Sequence, residues 1–221
     1  MLTLTAADFV AAPYPVPLAP DEIQLWFFPA SAEAGTRTDE SWLRRLLAAH
    51  ADCTAAELAL VRGEHGKPHL APPLALEFNL SNTRGGAVIG ISHVQPLGVD
   101  IETRQRSRPV IELARRYFAG DEAAALSNIA TAHRQTAFLR LWSCKEAVVK
   151  ALGRGIGFGL ARVSFALDDF GVPTHLNVID TSAGSVGEWQ IVGLAPTAEH
   201  VGALAWRGPA RLVRAFVTLP T

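Results

Sequence analysis

The pentapeptide Gly98-Val99-Asp100-Ile101-Glu102 constrains this chain more than any other stretch. Its apolar–acidic alternation has the period of a β-strand, so Val99 and Ile101 face one way and Asp100 and Glu102 the other. The Cα atoms of the two acidic residues then lie roughly 6.5–7 Å apart at the usual strand rise. Two like charges this close, at the end of an apolar run, are unfavourable unless something positive lies between them. Oxygen-only donors favour a hard cation such as Mg²⁺ over zinc. The competing reading is a solvated face on an edge strand, and the rest of the chain has to decide between the two.

The second stretch is Trp142-Ser143-Cys144-Lys145-Glu146-Ala147-Val148-Val149-Lys150-Ala151-Leu152-Gly153. It closes the longest helical pattern in the chain, His133 to Leu152, which Gly153 and Gly155 stop. Glu146 and Lys150 share a helix face at i, i+4, a pairing worth about 0.2–0.5 kcal/mol on an open surface. Trp142, Ala147, Val148, Val149 and Ala151 surround the pair and predict partial burial. Two carboxylates on a strand and a third on a buried helix suit Mg²⁺ with room for phosphate oxygens. Lys67, in the tight turn Gly66-Lys67-Pro68, offers a point charge for phosphate, or else a plain surface lysine. Ser81, ending an apolar strand before a glycine-rich turn, offers a hydroxyl donor, or else a simple turn residue. Gly153-Arg154-Gly155-Ile156-Gly157 follows a helix instead of joining a strand to a helix, so it is not a dinucleotide loop.

Bulk properties exclude several classes. With 221 residues, 49% hydrophobic and 19% charged, the chain can build a sizeable core as one large domain or two intimate halves. A net charge of −1 gives no global field toward nucleic acid or membrane. The two cysteines, Cys53 and Cys144, are far apart, which argues against a disulfide framework and for a reducing cytoplasm. Pro13, Pro15 and Pro17 interrupt the apolar N-terminus, so neither a signal peptide nor a bilayer span is expected.

Along the chain, residues 1–20 read as an irregular arm and Ile23–Phe28 as a strand. Thr38-Asp39-Glu40-Ser41 offers caps for an amphipathic helix to about Ala51, and Thr54–Glu57 has the capping-box pattern. Leu58–Arg62 is strand-like, and strands over Leu76–Ser81, Ala87–Ser92 and Gly98–Glu102 look like a meander. A connector with Arg104, Arg106 and Arg108 follows, then helices over Val110–Phe118, Asp121–Asn128 and His133–Leu152. Four strands and a possible fifth, Leu212–Thr218, end the chain. The expected class is α/β (α+β) with two related lobes, 1–103 and 104–221.

Taken together, Phe78-Asn79-Leu80-Ser81, Gly98–Glu102 and Trp142–Lys150, with Gly66-Lys67-Pro68 and Ala114–Phe118, resemble the surfactin-synthetase-activating type of 4′-phosphopantetheinyl transferase. The likeness covers about residues 60–170. It implies a pseudo-twofold monomer, each lobe a small, mostly antiparallel sheet packed with helices, with coenzyme A in the cleft between lobes. It implies Mg²⁺, or Mn²⁺ as a substitute ion, on Asp100, Glu102 and Glu146. Catalytic roles fall to Glu146 as general base, Lys150 and Asp100. Lys67, Ser81, Asn82, Lys145, Lys150 and Arg37 become candidates for coenzyme A. The partner implied is an apo acyl or peptidyl carrier protein, whose serine receives phosphopantetheine while 3′,5′-ADP leaves. Two departures stand out: Asn82 occupies the place of a phosphate-contacting histidine, and residues 29–36 lack a basic run, leaving Arg37 as nearest candidate. The other readings are a non-catalytic coenzyme A or carrier-binding module and a Mg²⁺-dependent phosphohydrolase.

Overall fold

A computed structural model describes residues 1–12, 16–30, 40–105 and 107–218. In chain order the elements are β1 Thr3–Thr5, β2 Phe9–Ala11, β3 Glu22–Pro29, α1 Glu40–His50, β4 Leu60–Arg62, β5 Pro68–Leu70, β6 Glu77–Thr83, β7 Gly86–Ser92 and β8 Leu97–Thr103. There follow α2 Val110–Tyr117, α3 Gly120–Asn128, α4 Thr131–Leu152, β9 Val163–Leu167, β10 Pro173–Ile179, β11 Trp189–Ala195, β12 His200–Arg207 and β13 Leu212–Val217. The class is mixed α/β.

Two sheets carry the architecture, in the orders β2-β13-β3-β7-β6 and β1-β11-β12-β8. They share one apolar layer: Ile23, Leu25 and Phe27 of the first sheet and Val88 beside them meet Leu97, Val99, Ile101, Leu204 and Trp206 of the second. The outer face of the first sheet holds Trp26, Phe78, Ile89 and Ile91 against Leu43, Leu46 and Leu47 of α1. The outer face of the second packs beneath α4, with Ala203 and Ala205 in the same cluster as Phe138, Leu141 and Val148. Burial on both faces explains why β7 and the Leu25–Phe28 part of β3 read as apolar runs.

Three expectations change. The segment 1–20 is not an irregular arm throughout: β1 pairs in parallel with β11, and β2 with β13. These strands are three residues long, too short for period 2 to stand out among the prolines. The meander ends at β7, because β8 pairs with β12 and lies in the other sheet. Thr54 and Glu57 make the reciprocal bonds that the capping-box pattern predicts, at the head of a single turn. A cut at 103/104 would part β8 from β12 and β13 from β3, so the halves exchange strands across it. Thr38 and Asp39, expected to cap α1, lie outside the described residues.

Candidate active site

The strand β8 delivers its side chains as the alternation predicts. Val99 and Ile101 enter the layer between the sheets, and Asp100 turns to the α4 side. Gly98 sets the distance between strand and helix. A Cβ there would lie 2.1 Å from the Ala147 carbonyl oxygen and 2.4 Å from the Ala151 nitrogen, so any side chain would push α4 away. Backbone contact between β8 and α4 brings Asp100 to Lys150, fifty residues on. The Lys150 ammonium donates to Asp100 Oδ1 (2.8 Å), Ser81 Oγ (3.0 Å) and the Val99 carbonyl (3.1 Å). Ser81 Oγ donates in turn to Asp100 Oδ1 at 2.9 Å.

One edge of β8 pairs with β12, and among the described residues the other edge has no strand partner. Side chains of β6 replace it. Val99 N–H donates to Asn79 Oδ1 (2.8 Å), Ile101 N–H to Ser81 Oγ (3.4 Å) and Thr103 N–H to Thr83 Oγ1 (3.2 Å). Buried amides need acceptors, and this period-2 ladder supplies them across the seam. Asn79 and Thr83 went unremarked in the sequence as positioning residues. Their signal was a polar side chain at every second place in a β-run, 79, 81 and 83.

Leu80, Ser81, Asn82, Asp100, Trp142, Glu146 and Lys150 line a cavity of about 390 Å³. Asp100 and Glu146 are both buried, and Asp100 Oδ2 and Glu146 Oε1 have no hydrogen-bond partner among the described residues. Burial, then the charge of Asp100, pushes the Glu146 carboxyl up to about 7, against the pull of Lys150. Burial and Asp100 also raise Glu102. Glu102 does not line the cavity; its Oε2 accepts from Arg108 Nη2 at 2.6 Å. Among the described residues no three His, Cys, Asp or Glu side chains are grouped closely enough to hold a metal ion. The structure therefore unites two of the three expected carboxylates and pairs the third with an arginine. Two carboxylates with spare, desolvated oxygens still fit Mg²⁺, which commonly takes one or two carboxylates and fills its shell with water and substrate phosphate.

The other candidates divide. Ser81 sits inside the Asp100–Lys150 network, and Asn82 is exposed at the rim. Lys67 is not a free point charge: its ammonium donates to the carbonyls of Leu97 (2.9 Å) and Lys150 (3.0 Å), tying the start of β8 to the end of α4. Burial pushes its pKa down. Lys145 is fully buried on the far side of α4, bound to Glu122 and to the Leu160 and Val163 carbonyls, which corrects its expected place beside the cofactor. Arg37 lies outside the described residues, and the nearby Arg44 donates to the Leu58 carbonyl. A larger hollow, about 600 Å³, opens beyond the left-handed Gly153 between His65, Arg154, Phe158 and Arg162, with no acidic group in its lining among the described residues.

Residues 96–205 match the family model of the 4′-phosphopantetheinyl transferase superfamily. The chain is 29% identical over 169 residues to the 4′-phosphopantetheinyl transferase HetI of Nostoc, covering 75% of this chain and 68% of that protein. It is 34% identical over 111 residues to the 4′-phosphopantetheinyl transferase psf-1 of Bacillus pumilus, covering 50% of this chain and 46% of that protein. It is 34% identical over 113 residues to the 4′-phosphopantetheinyl transferase Sfp of Bacillus subtilis, covering 51% and 46%. Apart from the Nostoc protein, the match spans about half the length of these relatives. The matched span runs from β8 through α4 to β12, the elements that bring Asp100, Glu146 and Lys150 together. With motif order, cavity and family model in agreement, the chain belongs to the 4′-phosphopantetheinyl transferase superfamily.

Proposed function

We propose that this protein transfers 4′-phosphopantetheine from coenzyme A to a serine of an apo acyl or peptidyl carrier protein, in the manner of the surfactin-synthetase-activating type. One observation carries the reading: Asp100 and Glu146 hold spare, buried oxygens in one cavity beside the Lys150 ammonium. Such a set of charges is costly unless a ligand completes it, and it has the polarity that a diphosphate with a divalent ion requires.

In the proposed reaction the carrier serine Oγ forms a bond to the phosphorus on the pantetheine side of the diphosphate. The bond from that phosphorus to the bridging oxygen breaks, 3′,5′-ADP leaves, and the serine proton passes to a base. Glu146 is the proposed base: burial and Asp100 hold its carboxyl at about 7 when no ion is bound, and with the ion in place only an oxygen not committed to it can accept the proton. Lys150 supplies positive charge to the diphosphate as negative charge builds on the leaving group. Asp100 and Ser81 hold the Lys150 ammonium in place. Mg²⁺, or Mn²⁺ in its stead, would be held by Asp100 and Glu146, with Glu102 as a third ligand, and would neutralise diphosphate charge. Asn82 at the rim offers the 3′-phosphate a neutral hydrogen-bond donor. The reading includes a monomer, since one chain forms the whole cavity, and a cytoplasmic setting, since its two cysteines are free. Among the described residues no helix is long and apolar enough to cross a membrane.

Incubation with coenzyme A, Mg²⁺ and an apo carrier protein tests the reading by intact-protein mass. The expected result is a carrier heavier by one phosphopantetheine. Binding of coenzyme A or carrier without that gain would instead support a non-catalytic module.

A further inference from the structure

The third carboxylate has a partner of its own. Glu102 follows Asp100 by two residues on β8 and lies on the same strand face, yet it contributes no unpartnered buried oxygen. Its Oε2 is held by Arg108 Nη2 at 2.6 Å, and both side chains are mostly buried, 14% and 18% exposed. The pair is a single contact instead of a bidentate fork, and Arg108 Nε is buried without a partner among the described residues. A guanidinium left half-satisfied is held less firmly than one bound through two parallel bonds.

The backbone around Arg108 is fixed independently of this contact. Arg104 N–H donates to the Glu199 carbonyl at 2.9 Å, and the Arg104 carbonyl accepts from Gln135 Nε2 at 2.7 Å. Val110 N–H, at the start of α2, donates to the Arg108 carbonyl at 2.8 Å. None of these bonds involves the Arg108 side chain.

We propose that Arg108 is an internal competitor for the divalent ion: it occupies Glu102 in the ion's place and sets how tightly this chain takes the metal. The inference rests on the phosphopantetheinyl-transfer reading of the site. The physical reason is exclusion. An oxygen already accepting a short charged bond cannot also bind a cation along the same direction, and guanidinium and metal repel each other across it. Ion binding through Glu102 Oε2 must therefore break the Arg108 contact, whereas ion binding through Glu102 Oε1, or with Asp100 and Glu146 alone, need not. The apparent affinity falls by the strength of the contact that is broken.

Titration of the full chain with Mn²⁺, read by electron paramagnetic resonance without coenzyme A, tests this directly. Arg108→Ala should bind Mn²⁺ about tenfold more tightly than the wild type, within the range usual for coupled sites. A general loss of positive charge would have the same sign, so the decisive arm is Arg108→Ala in a Glu102→Gln background. Competition at Glu102 predicts that the gain disappears there. A gain that persists, or unchanged or weaker binding in Arg108→Ala alone, overturns the proposal. Arg108→Gln, which keeps the stem, serves as the second variant, with thermal melts confirming that each protein is folded. Asp100→Asn and Glu146→Gln separate the two levels. If they bind Mn²⁺ like the wild type, the carboxylate site itself is wrong; if they lose it while the Arg108 variants do nothing, only the competitor is wrong.

Discussion

Lys145 and Glu146 are neighbours on α4, both buried, and their charges are treated in opposite ways. The Lys145 ammonium has three acceptors for its three protons: Glu122 and the carbonyls of Leu160 and Val163. Glu122 is equally well supplied, accepting from Phe165 N–H at 2.8 Å and Ala119 N–H at 3.1 Å besides. Glu146, one residue on, keeps a buried oxygen without a donor. A charge with every bond made holds shape, because moving it costs all its partners at once. A charge left incomplete in a cavity does nothing for shape and is tolerated where a ligand or proton completes it. The saturated pair ties α3 and β9 to one side of α4, so that the unsaturated residue faces the cleft on the other.

Substitution should separate the two roles. Glu146→Gln is expected to lower the transfer rate about 10²–10⁴-fold, the usual range for losing a general base. Its urea midpoint should be no lower than that of the wild type. A rate within tenfold of wild type would remove Glu146 from the chemistry. Lys145→Ala should do the reverse, destabilising the fold by about 3–5 kcal/mol because it strands the Glu122 carboxylate. The folded fraction should keep its affinity for coenzyme A. Replacing both partners with apolar residues, Lys145→Met with Glu122→Leu, should recover most of that stability. A Lys145→Ala protein as stable as the wild type but poor in coenzyme A binding would return Lys145 to the cofactor.

The cleft side of α4 was legible because its signals are local. Asp100 and Glu102 alternate on a strand, Glu146 and Lys150 lie one helical turn apart, and both patterns fix the face without reference to distant residues. The core side was not legible. Lys145 meets Glu122 across 23 residues, and no local period links a helix lysine to a glutamate at the start of another helix. The same limit applies to β8. Adjacency predicted a ladder with β7, but β8 forms its ladder with β12 and meets that sheet through the packing of Val99 and Ile101 and through side chains of β6. Glu102 shows a third case: the face was right, yet Arg108 on the connector claims the side chain. Lys67 shows a fourth, where a turn lysine reaches carbonyls 30 and 83 residues away.

The smallest expected effect concerns pH, and it sharpens the contrast. In the presence of a chelator, the folded-state pKa of Glu146 stands at about 7 against an ordinary 4.5. Between those values the native chain holds a proton that the unfolded chain has released. Stability therefore falls as pH rises through this window, and the penalty is complete above about pH 7. Its full size is on the order of 3 kcal/mol. Glu146→Gln carries no such penalty, so it should exceed the wild type in stability at pH 8 and match it near pH 4.5. Urea unfolding of both proteins across that range is the measurement. Equal stability at every pH would mean that the Glu146 carboxyl is no less solvated than an ordinary surface glutamate. The two neighbours on α4 would then differ in position only, not in how their charges are met.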